Sequence, residues 1–189
     1  MLFNSWEYLF FLPVVFVLYW ALSNKKVIFQ NVLIIFASYT FYGFWDVRFL
    51  LLILSSTIVD FFVGHKIHSN IQNKKKSKYW LWVSVIFNLG LLGTFKYFNF
   101  FVHSFIDLAQ GLGLENSSYW SLNIILPVGI SFYTFQTLSY SLDIYYQKLA
   151  PTKNFIAFTA FVGFFPQLVA GPIERASNLL SQISAKRIF

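Results

Sequence analysis

The chain has 189 residues, of which 57% are hydrophobic and only 11% charged. So few charges do not cover a water-facing surface, and the apolar side chains exceed what one small core buries; a soluble globular enzyme, a disordered chain and a collagen-like fibre are excluded. There is no cysteine, which removes disulfides, thiolate metal sites and a cysteine nucleophile, and the net charge of +7 is met by loop lysines of a membrane protein rather than by nucleic acid.

Crossing ~30 Å of hydrocarbon takes a helix of roughly 20 residues. The first apolar run is Tyr8–Leu22. Acidic Glu7 precedes it and Ser23-Asn24-Lys25-Lys26 follows, so it lacks the basic start and small-residue cleavage site of a signal peptide and reads as a retained anchor. Pro13 near its start is tolerated in a membrane helix. Runs at Val27–Phe44 and Val47–Val63 form a tight hairpin across Trp45-Asp46, and a fourth run covers Tyr79–Phe95. The segment Tyr97–Leu114 is interrupted by His103, Asp107, Gln110 and two glycines. It either spans or lies in the interface as an amphipathic helix. Long runs follow at Leu122–Tyr146 and at Phe155–Gly171, the last broken by Gly163 and Pro166.

The expected fold is all-α and integral to the membrane: a multi-span helical bundle with interrupted and interfacial helices. It forms one transmembrane domain over 1–189, with spans at about 8–22, 27–44, 47–63, 79–95, 122–146 and 155–171. Lys25 and Lys26 follow the first span, and Lys66, Lys74, Lys75, Lys76 and Lys78 follow the third. Alternating spans put both loops on one side, so the positive-inside rule predicts a multi-pass protein with cytoplasmic lysine loops and an exterior N-terminus. An interfacial 97–114 also brings Lys148 and Lys153 to the cytoplasmic side, and is preferred for that reason. The lysines of 69–78 read as a solvated turn, with attraction to anionic lipid as the alternative.

Familiar soluble motifs fail. There is no Walker A string, Gly111-Leu112-Gly113 lacks a third glycine, and Gly129-Ile130-Ser131 is not a nucleophile elbow. His65 and His68 are three apart and His103 and Asp107 four apart. Two ligands do not make a zinc site, so His65 and His68 read as interfacial; His103 with Asp107 reads as a polar face of an interfacial helix, with an imidazole base oriented by a carboxylate as the alternative, and neither a metal nor a resident cofactor is expected. Polar residues within apolar runs carry more, because lipid makes them costly. Gln136, Tyr140 and Asp143, with Ser139 beside them, share one helix face that points into the bundle or toward a wet cavity. Phe164-Phe165-Pro166-Gln167-Leu168-Val169-Ala170-Gly171-Pro172-Ile173-Glu174-Arg175 has two prolines six apart and cannot be one uninterrupted helix. Broken backbone at membrane depth must be buried in protein or line a cavity. Gln136, Tyr140, Asp143, Gln167, Gly171, Pro172, Glu174 and Arg175 are therefore the candidate lining of a site.

The block Ile125-Leu126-Pro127-Val128-Gly129-Ile130-Ser131-Phe132-Tyr133-Thr134-Phe135-Gln136-Thr137-Leu138-Ser139-Tyr140 and the FFPQLVAGPIER segment resemble the membrane-bound O-acyltransferase family. Leu2-Phe3-Asn4-Ser5 with Phe10-Phe11-Leu12-Pro13, and Ser38-Tyr39-Thr40-Phe41-Tyr42-Gly43-Phe44-Trp45-Asp46, resemble its bacterial branch, which includes alginate O-acetylation subunits and D-alanyl transferases of teichoic acid. Tyr145-Tyr146 stand where that branch often has an arginine. The resemblance implies transfer of an acyl group, most concretely acetyl, from a cytoplasmic donor (acetyl-CoA or an acyl carrier protein) to hydroxyls of an extracytoplasmic polysaccharide such as alginate. It implies a bacterial inner-membrane location, membrane lipid around the chain, and accessory acetylation proteins as partners. The family's catalytic histidine is expected on a later helix, beyond Phe189, so no catalytic residue is assigned within the chain, which reads as the N-terminal part of a longer enzyme and as inactive alone. The alternatives are a transporter or flippase for an acyl group or carrier lipid, and a non-catalytic truncated remnant.

Overall fold

The structure is a computed structural model that describes residues 5–112, 127, 129–172 and 174–187. Leu2, Phe3 and Asn4, Gly113, the beginning of the 122–146 segment (122–126 and 128), Ile173 and Phe189 lie outside the described residues.

The described residues are helical throughout their regular structure: α1 Trp6–Ala21, α2 Val27–Gly43, α3 Arg48–Ser69, α4 Lys74–Leu92, a π-helical turn Gly93–Tyr97, α5 Phe98–Gly111, α6 Ile130–Tyr145, α7 Phe155–Val162, α8 Phe165–Ala170 and α9 Ala176–Ser184. Arg48–Ser69 and the continuous Lys74–Gly111 are long and apolar enough to cross a membrane, and Trp6–Ala21, Val27–Gly43 and Phe155–Leu168 are shorter apolar helices. Local chemistry sets several starts. Ser5 Oγ accepts from Tyr8 N at 3.3 Å, Asn73 Oδ1 from Lys76 N at 3.2 Å and Asn154 Oδ1 from Ala157 N at 3.1 Å, each satisfying an orphan donor of a first turn. In the α2–α3 link, Arg48 Nη2 donates to Asp46 Oδ2 at 2.7 Å, and the guanidinium holds that carboxyl below its ordinary range.

The outside of the bundle is apolar and its inside is partly polar. α1 buries none of its side chains, and Phe10 is 70% exposed; Phe36, Leu51, Phe62 and Ile86 are exposed on the other long helices. Gln30, Asn31, Ser38, Ser56, Thr57, Asp60, Ser84 and Asn88 are buried.

α3, α4 and α6 pack as a three-helix core, with α2 and the α7–α9 segment against it. Gly64 lets α3 and α6 approach. A Cβ there would sit 2.6 Å from Tyr140 Cε1 and 2.9 Å from Ile144 Cδ1. The Tyr140 ring cannot yield, because it is fully buried against Phe158, with centroids 4.5 Å apart. Gly64→Ala is expected to cost about 1–3 kcal/mol by overpacking. It should lower the thermal midpoint of detergent-purified protein, and an unchanged midpoint counts against this contact.

The ends of the helices sort by charge. Ile71, Lys74 and Ser77 line a small pocket of about 290 Å³ with Tyr145, Tyr146 and Gln147, which puts the end of α6 beside the α3–α4 turn. At the other end Lys96 Nζ donates to Ser131 Oγ at 3.4 Å. α6 therefore runs parallel to α3 and starts at the end where α4 finishes. Arg187 docks on Gln30 and Asn31 in the first turns of α2, next to Lys25 and Lys26. All lysines and arginines except Arg48, Lys96 and Arg175 thus gather at one end of the bundle.

Where the sequence suggests one apolar stretch at 155–171, the chain makes a hairpin inside the bundle. α7 starts at the lysine-rich end, with Phe155 and Phe158 on Phe61. The helix stops at Gly163, and α8 begins again with Pro166 in its first turn, where the missing N–H costs nothing. α8 reaches the opposite end of α6. Gly129 caps α6 there at φ 80°, and a Cβ on it would lie 3.0 Å from Leu168 O. α9 then returns. Ala176 N donates to Ser139 Oγ at 3.3 Å, and Arg187 ends at the lysine-rich end.

Candidate functional site

The two broken ends between α7 and α8 are tied together by glutamines. Gln136 Nε2 donates to Phe161 O at 2.8 Å, a carbonyl in the last turn of α7, and lies 3.3 Å from Gln167 Oε1. Gln167 Nε2 donates to Pro172 O at 2.8 Å, across the second break. Phe165 N donates to Ser38 Oγ at 3.2 Å, so α2 holds the first turn of α8 from the other side. Gly171 belongs here for steric reasons: a Cβ on it would be 2.8 Å from Gln167 Cα. The whole broken segment through Arg175 is expected to need shelter, and only its first half has it, since Phe165, Gln167 and Leu168 are buried. Pro172 and Arg175 are exposed, and Glu174 Oε2 accepts from Asn178 Nδ2 at 2.7 Å on the first turn of α9.

Of the α6 residues expected on one face, Gln136 and Tyr140 both point to α7. Tyr140 is fully buried, and its hydroxyl accepts from Thr152 N at 3.2 Å. Asp143 is 7% exposed, and its Oδ2 has no hydrogen-bond partner. Its backbone carbonyl accepts from Lys148 N at 2.8 Å and so closes the helix. Gln136, Gln167, Gly171 and Pro172 are brought together; Tyr140 and Asp143 lie further along α6, and Glu174 and Arg175 sit at the start of α9.

The histidines are elsewhere. His65 Nδ1 donates to Phe61 O at 2.8 Å on its own helix; His68, His103 and Asp107 are exposed. Among the described residues no three of His, Cys, Asp and Glu come together. An open apolar groove of about 940 Å³ runs along the π-helical turn, between Gly90 and Gly93 on one side and Phe98, Phe101 and Phe105 on the other.

A second polar centre is Asp60, which the sequence reading passed over inside the third apolar run. It is fully buried in the α3–α4–α6 core. Ser84 Oγ donates to Asp60 Oδ1, Ser141 Oγ donates to the same oxygen at 3.2 Å, and Asn88 Nδ2 donates to Oδ2 at 2.7 Å. Thr137 Oγ1 donates to Asn88 Oδ1 at 3.1 Å. The signal was present, since an ionisable residue near the middle of a span, one turn after Ser55-Ser56-Thr57, cannot face lipid.

No family model and no solved structure matches the chain. Among curated proteins it is 40% identical over 185 residues to the "Probable alginate O-acetylase AlgI" of Pseudomonas aeruginosa, covering 97% of this chain and 35% of that protein. It is 37% identical to the protein of the same name from Azotobacter vinelandii, covering 36% of it. It is 35% identical over 213 residues to the "Peptidoglycan O-acetyltransferase" of Helicobacter pylori, covering 98% of this chain and 39% of that protein. The chain spans about a third of the length of these relatives.

Proposed function

We propose that this chain belongs to the membrane-bound O-acyltransferase family and is the N-terminal part of a longer enzyme that moves an acetyl group from a cytoplasmic donor to hydroxyls of an extracytoplasmic polysaccharide. The observation that carries this reading is the relationship itself. Nearly the whole chain aligns with proteins named as O-acetylases of two different envelope polysaccharides, alginate and peptidoglycan. What those two share is acetylation of a glycan hydroxyl, so that chemistry transfers more safely than either polymer.

The structure supplies a scaffold that suits the reading. The backbone is broken inside the bundle, and its loose ends are satisfied by Gln136 and Gln167 rather than by water. The three histidines lie away from that break, and the family resemblance puts the base that takes the acceptor's proton in the remainder of the longer protein. The residues here form one wall and exclude water, which limits hydrolysis of the activated acyl group. The charge gathered at one end of the bundle supports a bacterial inner-membrane protein with those lysines cytoplasmic and the N-terminus outside. Acetyl-CoA or an acyl carrier protein then approaches from the lysine-rich end, and accessory acetylation proteins act with the enzyme on the far side.

Deleting the gene for the longer protein is expected to remove most O-acetyl groups from the surface polysaccharide, measured after mild alkaline release. Unchanged O-acetyl content would sink the assignment. A reporter fused at Asn73 that reads exterior would reverse the orientation without touching the activity.

A further inference from the structure

We propose that the Asp60 centre is a binding site for a small monovalent cation of the sodium class. The proposal is independent of the acyl-transfer reading, because it rests on the α3–α4–α6 core alone.

Charge comes first. Asp60 is the sole carboxylate in the cluster, is fully buried, and has no lysine, arginine or histidine within ion-pair reach among the described residues. A carboxylate removed from water without a counter-charge is costly, and neutral donors offset only part of that cost. One negative charge calls for one positive charge, a proton or a monovalent cation rather than a divalent one, and the two compete for the same carboxylate.

The ligand atoms come second. Five side chains on three helices offer oxygens: Asp60, Ser84, Asn88, Thr137 and Ser141. Carboxylate, amide and hydroxyl oxygens are hard ligands suited to hard cations. Ser84 Oγ and Ser141 Oγ lie 3.1 Å from each other, and both contact Asp60 Oδ1. With the carboxyl ionised, these three oxygens share two hydroxyl hydrogens, so one of their contacts then has no hydrogen in it. An ion between them replaces that repulsion with coordination, the hydroxyl hydrogens turning outward.

The test uses the purified full chain in detergent, with ionic strength held constant by exchanging sodium chloride for choline chloride. The thermal midpoint is expected to rise with sodium and saturate, as linkage requires for an ion bound only by the folded state. Asp60→Asn, which keeps the shape and removes the charge, should abolish the sodium dependence. Ser141→Ala, which loses one oxygen and adds no bulk, should weaken the apparent sodium affinity about tenfold. Equilibrium binding of radioactive sodium should show one ion per chain, lost in Asp60→Asn. A wild-type midpoint that ignores sodium at every pH overturns the proposal, and so does a sodium response that survives Asp60→Asn. The first of these needs no variant to fold.

Discussion

Asp60→Leu is expected to lose about 3–5 kcal/mol and to prevent the α3–α4–α6 core from assembling, because it strands several buried hydrogen-bond donors at once. Leucine is nearly isosteric and suits lipid better than aspartate, so a hydropathy argument predicts the opposite. The difference lies in what stays behind. Ser84 Oγ, Ser141 Oγ and Asn88 Nδ2 all spend their hydrogens on Asp60, and all three side chains are fully buried. Each donor stranded in an apolar core costs about 1–3 kcal/mol. The mechanism can be separated from bulk by adding Ser84→Ala and Ser141→Ala to the leucine variant. Removing the stranded hydroxyls should recover part of the loss, read as the yield of monodisperse protein and as its thermal midpoint. If Asp60→Leu alone matches the wild-type midpoint, the carboxyl does not hold these helices together.

Asp60 also marks where sequence reading fell short. The runs of apolar residues are enough to place most helices, because span length and hydropathy are local properties. The polar stripe Gln136–Tyr140–Asp143 stands out for the same reason: three costly residues recur at helical spacing on one segment. Asp60 has Ser56 and Thr57 one turn before it, but none of its hydrogen-bond partners lies on its own helix. Its partners come from α4 and α6, 24 and 81 positions away in sequence at Ser84 and Ser141. Periodicity along one helix cannot report a cluster assembled from three. The α7–α9 hairpin was half legible. Pro166, Gly171 and Pro172 announce that the backbone breaks, but not that α9 turns back beside α7. That return depends on Ser139 meeting Ala176 N and on Arg187 reaching Gln30 and Asn31. Arg187 is held there by neutral amides and by the Tyr19 ring, 5.4 Å from its centroid, a pairing with no charge pattern to betray it.

The other large effect is expected at Gln136. Gln136→Leu removes the donor that satisfies Phe161 O and leaves the Gln167 amide oxygen facing an apolar side chain. Two unsatisfied acceptors at about 1–3 kcal/mol each outweigh the apolar area that leucine gains. The cost falls on the α7–α8 break rather than on the three-helix core, because Asp60 and its partners face the other side of α6. The chain should therefore still insert, while α8 loses its fixed position against Gly129 and Ser38. Gln136→Glu separates geometry from hydrogen bonding. Glutamate keeps the length of the side chain but brings an acceptor to Phe161 O, where a donor is required. Both variants should reach the membrane at near wild-type levels in the longer protein and yet transfer at least tenfold less acetyl to the polysaccharide, a loss of about 1.4 kcal/mol or more at the transition state. O-acetyl content normalised to membrane-inserted protein is the measurement. Wild-type transfer by Gln136→Glu would show that the glutamine bridge stabilises the break without positioning anything for the reaction, and the lining role of Gln136 and Gln167 would fall with it.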